Sequence, residues 1–364
     1  MERKAYLILE NKMIFEGKAF GAAGEATGEV VFTTAMTGYL ETLTDPSYFG
    51  QIVVQTFPLI GNYGVIPSDF ESSHPYLKAY IVREWCQEPS NFRCEGNLDT
   101  FLREKGIVGL YGIDTRALTR IVREHGVMNG KIVSSPEITD ETLREICSYR
   151  VTNAVMSSTC SGSQQYGDAG AKRCVVLMDF GAKRNICREL VKRGCRVTVV
   201  PANTTAKEIL AMKPDGIMLS NGPGDPAENV QIIEELKTLV PSGIPMFGIC
   251  LGHQLMALSQ GAKTEKLKYG HRGANQPAVY LPTGRVYITS QNHGYAVVSD
   301  TVPSQGQVSF VNANDGTCEG ITYRDFPAFS VQFHPEASAG PLDTGFLFDQ
   351  FVRVMKEVNV NAAE

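Results

Sequence analysis

The chain has 364 residues, of which 43% are hydrophobic and 20% charged, and its formal net charge is −5. This composition is typical of a soluble globular protein with two or three domains, and it excludes wholesale disorder. The 34 basic and 39 acidic residues imply no broad basic surface, so neither nucleic acid nor an anionic membrane is an expected partner. No stretch approaches the ~20 apolar residues of a membrane-spanning helix, and the first residues lack the apolar core of a secretion signal.

The nine cysteines are odd in number and scattered, without a Cys-x-x-Cys pair or a Cys/His cluster at zinc spacing. A disulfide framework needs paired cysteines, and a structural zinc site needs closely spaced ligands. We therefore expect free thiols, no metal site in this chain and a reducing, cytoplasmic location.

The first half of the sequence contains short apolar runs that indicate strands and one stretch that indicates a helix. The predicted strands are 6–9, 30–34, 52–56 and 80–82, and the predicted helix is 113–124, with Asp114 or Thr115 near its N-terminus. This half is expected to form a smaller, mixed α/β but β-rich domain over residues 1–151.

Between residues 152 and 172 the composition shifts to Ser, Thr, Gly, Gln and Asp, as in the run 157–163 (SSTCSGS). Such a stretch has too little apolar surface to offset the entropy lost when it is ordered. We predict a linker here, followed by a second domain over residues 173–364.

Beyond the linker, short apolar strands alternate with helical stretches. The predicted strands are 175–178, 197–200, 216–219 and 244–249. The first predicted helix has Ile186, Leu190 and Val191 on one face and stops at Gly194, and the others are 206–212, 230–240 and 251–260. Strands separated by helices pair in parallel, and continuous apolar strands suit a sheet that is covered on both faces. The fold class is therefore α/β, with a doubly wound, mostly parallel sheet and a β-rich segment over 263–333. Such sheets bind ligands at the carboxyl ends of their strands.

Cys250 lies where a predicted strand runs into a helix, flanked by Gly248 and Gly252. This arrangement is related to the nucleophile elbow of G-x-S-x-G enzymes, in which glycines relieve crowding in a tight turn. The helix N-terminus favours a thiolate, and its amides can bind the oxyanion that forms when sulfur attacks a carbonyl. A small buried cysteine that only packs is the alternative, which we favour for the other eight cysteines.

His334 is the predicted base for this thiol. Pro335 favours an extended conformation at His334, and residues two apart in an extended chain point the same way, so Glu336 can hold the imidazole tautomer. Together they supply the nucleophile, base and orienting carboxylate of a catalytic triad. His253, one helical turn after Cys250, is a rival base, although no carboxylate accompanies it. A loop histidine that caps backbone groups is the remaining alternative for His334.

The loop 220–226 (SNGPGDP) offers backbone N–H groups at the carboxyl end of a strand, and its glycines permit close approach by a substrate. It lacks the third glycine of a dinucleotide-binding fingerprint. Residues 179–181 (DFG) match a Mg²⁺-binding motif of kinases, but the other kinase signatures are absent from the sequence. No G-x-x-x-x-G-K-[ST] loop occurs, so the sequence has no recognisable P-loop for ATP.

Two groups of motifs resemble known families. Residues 248–254 (GICLGHQ) and 334–336 (HPE) resemble the triad-type, or class I, glutamine amidotransferases, a likeness that covers roughly residues 173–364. Further motifs resemble the small-subunit family of carbamoyl-phosphate synthase, and they lie at 36–39 (MTGY), 43–48 (LTDPSY), 112–116 (GIDTR), 179–185 (DFGAKRN), 220–226, 270–273 (GHRG) and 275–277 (NQP). This second resemblance spans nearly the whole chain.

The resemblance implies that the chain hydrolyses glutamine to glutamate and that the ammonia passes through a protected channel to a separate large subunit. There, bicarbonate and ATP yield carbamoyl phosphate for arginine and pyrimidine biosynthesis. ATP and Mg²⁺ are thus expected on the large subunit, and no cofactor is expected in this chain. The implied partners are L-glutamine and the large subunit, which together with this chain forms a heterodimer.

Motif positions imply the site residues. By resemblance, Cys250 forms a thioester with the glutamine side chain, His334 transfers protons and Glu336 orients the imidazole. The implied glutamine and oxyanion contacts are Ser47, Gly222, Gly224, Leu251, Gln254, Asn292, Gly294 and Tyr295. Ser47 would put the site in a cleft between the two domains. From the residues alone, Gln254 could be a solvated helix residue and Asn292 a turn residue.

Three other functions compete with this one. The chain could be a glutaminase for a different synthase, a stand-alone γ-glutamyl hydrolase, or a catalytically silent regulatory subunit. The N-terminal half argues against a lone hydrolase, and the intact Cys250, His334 and Glu336 argue against a silent subunit. We expect weak glutaminase activity from the isolated chain, raised strongly by the large subunit.

Overall fold

The structure is a computed structural model and describes residues 3–361. These residues form two compact units that divide between Thr152 and Asn153. The outermost positions of the two predicted domain ranges, 1–2 and 362–364, lie outside the described residues. Within the described range, no helix has the length and apolar character needed to cross a membrane.

The first unit is built on a closed barrel. The strands of the whole unit are β1 (Lys4–Leu9), β2 (Ile14–Gly21), β3 (Ala26–Thr33), β4 (Gln51–Gln55), β5 (Leu59–Ile60), β6 (Ala79–Val82), β7 (Glu84–Trp85), β8 (Val108–Tyr111) and β9 (Met128–Val133). Its helices are α1 (Tyr39–Thr44), α2 (Leu98–Glu104), α3 (Thr115–His125) and α4 (Asp140–Ser148). The barrel order is β1-β2-β8-β6-β4-β3-β9.

Parallel and antiparallel strands share this barrel. The pairs β3–β4, β4–β6 and β6–β8 are parallel, and the remaining barrel pairs are antiparallel. Successive strand residues alternate between two apolar clusters, as Ile52 and Val53 do. The cluster with Ile52 includes residues of α3, and the cluster with Val53 includes residues of α1 and α2. This unit is therefore mixed α/β and β-rich, as predicted.

The second unit contains the predicted alternation of strands and helices. Its helices are α5 (Ala154–Ser158), α6 (Arg184–Lys192), α7 (Ala206–Ala211), α8 (Val230–Leu239), α9 (Leu251–Ser259) and α10 (Phe346–Asn361). Its strands are β10 (Gln164–Tyr166), β11 (Arg173–Asp179), β12 (Cys195–Pro201), β13 (Gly216–Leu219), β14 (Met246–Ile249), β15 (Thr264–Tyr280), β16 (Arg285–Val297), β17 (Gly306–Asn312), β18 (Cys318–Tyr323) and β19 (Ala328–Val331).

All ten strands of this unit form one sheet with the order β10-β12-β11-β13-β14-β19-β18-β17-β15-β16. The five strands from β12 to β19 pair in parallel, and those beyond β19 are antiparallel. Alternate residues of β11 belong to opposite faces: Val175 packs in a cluster with α6 and α10, and Val176 in one with α7, α8 and α9. The doubly wound, mostly parallel sheet predicted from the sequence is confirmed.

The segment 152–172, predicted to be a linker, is not a free spacer. It contains α5, whose Ala154 and Val155 are buried, and Val155 belongs to the core of the second unit. It also contains β10, which pairs with β12 and so adds an antiparallel strand at the sheet edge. The low apolar content of the segment did not reveal these elements, because they are ordered by two buried apolar side chains in α5 and by backbone pairing of β10 with β12.

Candidate active site

Cys250 occupies a sharp turn between β14 and α9, as the flanking glycines predicted. Its φ of 52° and ψ of −103° are rare for a residue with a side chain and cost about 1–3 kcal/mol. The turn is held because the backbone N–H of Cys250 donates to the Val331 carbonyl at 2.8 Å. The thiol is buried, and its sulfur lies 3.8 Å from the Asn292 carbonyl oxygen.

Two glycines make this turn possible by leaving room for neighbouring backbone. A Cβ on Gly252 would lie 2.5 Å from the Leu219 carbonyl oxygen, and one on Gly222 would lie 2.3 Å from the Phe180 carbonyl oxygen. Both distances are far below van der Waals contact, so a side chain at either position would push strands and helix apart. The elbow and the loop after β13 therefore require glycine for close packing.

His334 follows β19 and lies against Glu336. The His334 backbone N–H donates to the Ser290 carbonyl at 2.9 Å, and its Nδ1 lies 2.6 Å from Oε1 of Glu336. Both side chains are fully buried. The spacing of two residues brings imidazole and carboxylate together, as expected for extended chain.

The charges around His334 favour its protonated form. Burial and the positive charge of Lys183 lower its pKa, but the charge of Glu336 and the charge and hydrogen bonding of Cys250 raise the pKa of His334 to about 9. Nε2 of His334 has no oxygen or nitrogen partner in the described part of the chain. Burial would raise the pKa of Glu336, but His334 and Lys183 keep that pKa below its usual value. Cys250, His334 and Glu336 thus form one electrostatically coupled group.

Lys183 and Asn185 also support Glu336, although the sequence did not single them out as site residues. The Lys183 ammonium lies 3.6 Å from Oε1 of Glu336, and its side chain is only 10% exposed. The Asn185 side-chain amide donates to the Glu336 carbonyl oxygen. Their position in the chain could have identified them, because both residues follow β11 at the carboxyl edge of the sheet, where such folds bind ligands.

Gln254 and Asn292, two predicted glutamine contacts, are both buried. The Gln254 amide donates to the Tyr295 carbonyl at 2.7 Å and to Oε1 of Gln332 at 2.9 Å, and Gln254 is buried. Asn292 belongs to β16, where it pairs with Arg272 of β15. The alternatives of a solvated glutamine and a turn asparagine are therefore wrong. Gln332, which lies two residues before His334 and accepts the hydrogen bond from Gln254, belongs to no motif that the sequence offered.

The other predicted contacts lie at four places in the fold. Gly294 and Tyr295 lie on β16, and Leu251 begins α9, so its N–H has no partner within that helix. Gly224 lies in the loop after β13, with a φ of 90°. Ser47 belongs to the first unit, where it is buried and its N–H donates to Oδ1 of Asp45 at 2.9 Å. Its contact with a substrate stays a prediction.

His253, the rival base, has a different environment from His334. Its Nδ1 lies 2.8 Å from the Ser330 hydroxyl oxygen. Burial lowers the pKa of His253 to about 3, so the ring is neutral at physiological pH. A neutral imidazole without a carboxylate partner is suited to packing and hydrogen bonding inside the α9–β19 layer.

Among residues 3–361, three side chains could together hold a metal ion: His271, His293 and Glu319. Their ligand atoms lie within 4.8 Å of one another. The Asn312 amide nitrogen lies 3.1 Å from Oε1 of Glu319 and 3.4 Å from Nδ1 of His271, so an amide group already bridges two of them. Nε2 of His271 lies 2.8 Å from a carboxylate oxygen of Asp315. These contacts form a buried polar network between β15, β17 and β18.

Comparison with known proteins agrees with this geometry. Residues 176–354 match the family described as "Glutamine amidotransferase class-I", and residues 7–132 match "Carbamoyl-phosphate synthase small chain, CPSase domain". The chain is 51% identical to the carbamoyl phosphate synthase small chain of Clostridium perfringens over 96% of this chain and 99% of that one. The corresponding small chain of Fusobacterium nucleatum is 52% identical over 95% of this chain and 97% of its own length.

A third relative, the small chain of Bacillus cereus (strain ATCC 10987 / NRS 248), is 51% identical over 99% of this chain and 98% of its own length. The match thus includes both the barrel unit and the sheet unit that carries Cys250. The chain belongs to the carbamoyl phosphate synthase small chain family, and its second half is a class I glutamine amidotransferase domain.

Proposed function

We propose that this chain hydrolyses L-glutamine through a thioester on Cys250 and delivers the ammonia to an ATP-using large subunit that makes carbamoyl phosphate. The observation that carries the proposal is the buried contact of 2.6 Å between His334 and Glu336, next to the only cysteine held in a strained turn within the described chain. Membership of the small chain family supports both the glutamine substrate and the large-subunit partner.

The proposed reaction has two halves. The Cys250 sulfur attacks the side-chain amide carbon of glutamine, and His334 passes the thiol proton to the departing nitrogen, so that the C–N bond breaks and ammonia leaves. Water then attacks the thioester, with His334 accepting one of its protons, and the C–S bond breaks. The products are glutamate and the free thiol. This is the nucleophile and base chemistry of triad hydrolases.

Glu336 and Lys183 have supporting roles in this proposal. Glu336 accepts a hydrogen bond from Nδ1 of His334, which leaves Nε2 to exchange protons with the sulfur and the leaving group. Lys183 keeps the Glu336 carboxylate ionised at 3.6 Å and limits how strongly that carboxylate holds the imidazole proton. A base that must also release its proton benefits from this balance.

The oxyanion of each tetrahedral intermediate is assigned to the backbone amides of Gly222 and Leu251. Their loops begin at the carboxyl ends of β13 and β14, which is where a doubly wound sheet binds ligands. The remaining proposed glutamine contacts are Ser47, Gly224, Gln254, Asn292, Gly294 and Tyr295.

We assign no cofactor to this chain, since thiol, imidazole, carboxylate and amides supply every group that the hydrolysis needs. ATP and Mg²⁺ belong to the large subunit in this proposal, and the product serves arginine and pyrimidine biosynthesis. A channel is required because ammonia released into neutral water is protonated and loses its nucleophilic lone pair.

The test is glutamine hydrolysis by the complex with the large subunit. Cys250→Ser should lower kcat on the order of 10⁴-fold or more, because the hydroxyl is a poor substitute for the thiolate. Cys318→Ser is the matched control, since this thiol is also buried in the second unit and also lies 3.8 Å from a carbonyl oxygen. Equal activity of the two variants would refute the proposal.

A further inference from the structure

Gln332 contacts a proposed glutamine-binding residue, although the proposed reaction gives Gln332 itself no role. It directly follows β19 and is fully buried, and its backbone N–H donates to the Glu319 carbonyl at 2.9 Å. Its Oε1 accepts a hydrogen bond of 2.9 Å from the Gln254 side-chain amide. The contact joins two buried amides whose orientations depend on each other.

A backbone carbonyl shows which end of the Gln254 amide faces which neighbour. The Tyr295 carbonyl oxygen can only accept a hydrogen bond, so the Gln254 atom that lies 2.7 Å from it is the amide nitrogen. The same nitrogen lies 2.9 Å from the Gln332 side chain, which must therefore present its oxygen. These two contacts use both amide hydrogens of Gln254.

The oxygen of the Gln254 amide is left to bind a ligand. This Oε1 has no hydrogen-bond partner among residues 3–361. Although Gln254 is buried overall, the oxygen is not fully enclosed by protein atoms. An amide oxygen accepts a hydrogen bond from an N–H group and repels a carboxylate. Gln254 therefore offers an acceptor for a nitrogen-bearing group of the substrate.

The position of Gln254 indicates which nitrogen this is. Its backbone N–H donates to the Cys250 carbonyl at 3.1 Å, so the two residues are one helical turn apart, which is ~5.4 Å along the helix axis. The amide carbon of glutamine must lie at the Cys250 sulfur, and the α-ammonium lies a few bonds beyond that carbon. The α-ammonium is thus the donor that Gln254 can reach while the amide is under attack.

We propose that Gln332 is a positioning residue, which fixes the Gln254 amide so that its Oε1 accepts a hydrogen bond from the α-ammonium of glutamine. The contact with Tyr295 alone would leave the amide plane free to rotate, and the second contact, with Gln332, sets that plane. An acceptor held in place before binding loses less entropy when the substrate binds.

This inference rests on the proposed function, because it assumes that glutamine is the substrate. The two can fail separately. A wild-type complex that does not hydrolyse glutamine would refute the proposed function. An active complex whose KM is unaffected by the loss of the Gln332 amide would refute only the positioning role.

The test measures glutamine hydrolysis by the complex with the large subunit. Gln332→Met keeps the side-chain length but removes the acceptor, so KM should rise about 10- to 100-fold, the range for a hydrogen bond to a charged group. The kcat should change little, because the α-ammonium contact is the same before and during bond breaking. An unchanged KM in Gln332→Met would overturn the proposal.

Gln332→Glu is the conservative variant that should restore tight binding. It still presents an oxygen to Gln254, and the nitrogen that it replaces, Nε2, has no partner in the described part of the chain. Its KM should therefore lie close to that of the wild type. Equal increases in KM for Gln332→Met and Gln332→Glu would contradict a role for the acceptor oxygen.

Gln260→Met is the matched control, because it makes the same chemical change just after α9, where the Gln260 amide donates to the Ser259 hydroxyl at 3.1 Å. Its KM should equal that of the wild type, and an increase as large as in Gln332→Met would overturn the proposal. Alkylation of Cys250 by iodoacetamide should proceed at the same rate in Gln332→Met and wild type, since the triad is intact. A lower rate would assign the effect to the triad instead.

Glutaramate, which is glutamine without its α-amino group, is the probe for the ammonium contact. Its inhibition constant against glutamine should be the same for the wild type and Gln332→Met, because it has no ammonium to lose. A tenfold weaker inhibition of the variant would overturn the assignment to the α-ammonium. If Gln332→Met does not fold, Gln332→Asn should raise KM for glutamine, since its shorter side chain withdraws the oxygen from Gln254.

Discussion

At the scale of single residues, opposing influences set the pKa of His334. Glu336 and Cys250 stabilise the imidazolium, and burial and Lys183 oppose it. The result is an imidazole whose pKa of about 9 lies well above the ordinary histidine value. Such a group carries a positive charge at neutral pH.

Glu336→Gln should lower the pKa of His334, because the negative charge that stabilises the imidazolium is removed. Histidine-selective ¹³C labelling and NMR titration measure this pKa directly in the wild type and the variant. We expect a titration near pH 9 in the wild type and at a clearly lower pH in Glu336→Gln. An unchanged titration would mean that Glu336 does not act on the ring.

Lys183→Met should shift the same titration in the opposite direction. The ammonium lowers the pKa of His334, so its loss should raise that pKa. Hydrolysis should slow at neutral pH, because a base that binds its proton more tightly returns it less readily to the leaving group. Lys192→Met is the control, since this lysine is exposed on the neighbouring α6. A downward shift in Lys183→Met would contradict this assignment.

At the scale of elements, the elbow between β14 and α9 depends on the absence of side chains. Gly252→Ala should destabilise the second unit by about 1–3 kcal/mol, since its Cβ would collide with the Leu219 carbonyl. Gly162→Ala is the control, because no atom lies within 4 Å of a Cβ built there. Urea unfolding followed by circular dichroism measures both, and equal midpoints would contradict the packing described here.

Helix α3 depends on its N-cap. Oδ1 of Asp114 accepts a hydrogen bond from the Ala117 N–H at 2.9 Å. Asp114→Ala should cost the first unit about 1 kcal/mol, whereas Asp114→Asn should cost little, because asparagine also caps well. The single tryptophan, Trp85, lies in this unit and reports its thermal unfolding by fluorescence. A Tm lowered equally in both variants would contradict a capping role.

The α/β part of the second unit was largely predictable, because its parallel strands contain short apolar runs and several of its helices are followed by glycine or proline. The strand Gly216–Leu219 was predicted with its observed bounds, since all four of its residues are buried. In the first unit, the barrel strands β2, β8 and β9 were not predicted. Each contains a glycine, and β2 and β9 also contain charged or polar residues, which weaken strand propensity. All three are ordered by pairing with neighbouring barrel strands, and that pairing is not visible in a local window.

At the scale of the whole molecule, the sheet brings together residues that are distant in sequence. The sharp turn at Cys250 and the contact between His334 and Glu336 could be predicted, because each arises from a local sequence pattern. Lys183 and Gln332 could not, because their roles depend on which loops meet at the carboxyl edge of the sheet. The network of His271, Asn312 and Glu319 was equally hidden, since three different strands supply it.

The complete assembly should control the rate of hydrolysis. We expect the isolated chain to hydrolyse glutamine weakly, and addition of the large subunit to raise the rate within the range of about 5–150-fold typical of coupling between sites. Most of the ammonia would then form where an acceptor is present. Steady-state assays with and without the large subunit measure this, with Cys250→Ser as the background. A full rate without the large subunit would contradict the coupling.

The most direct measurement is the trapping of a covalent adduct. The complex is mixed with radiolabelled glutamine, quenched in acid and digested, and the labelled peptide is identified by mass spectrometry. We predict a glutamyl thioester on Cys250 in the wild type and no label in Cys250→Ala. Label on another residue, or undiminished hydrolysis by Cys250→Ala, would contradict a mechanism based on this thiol.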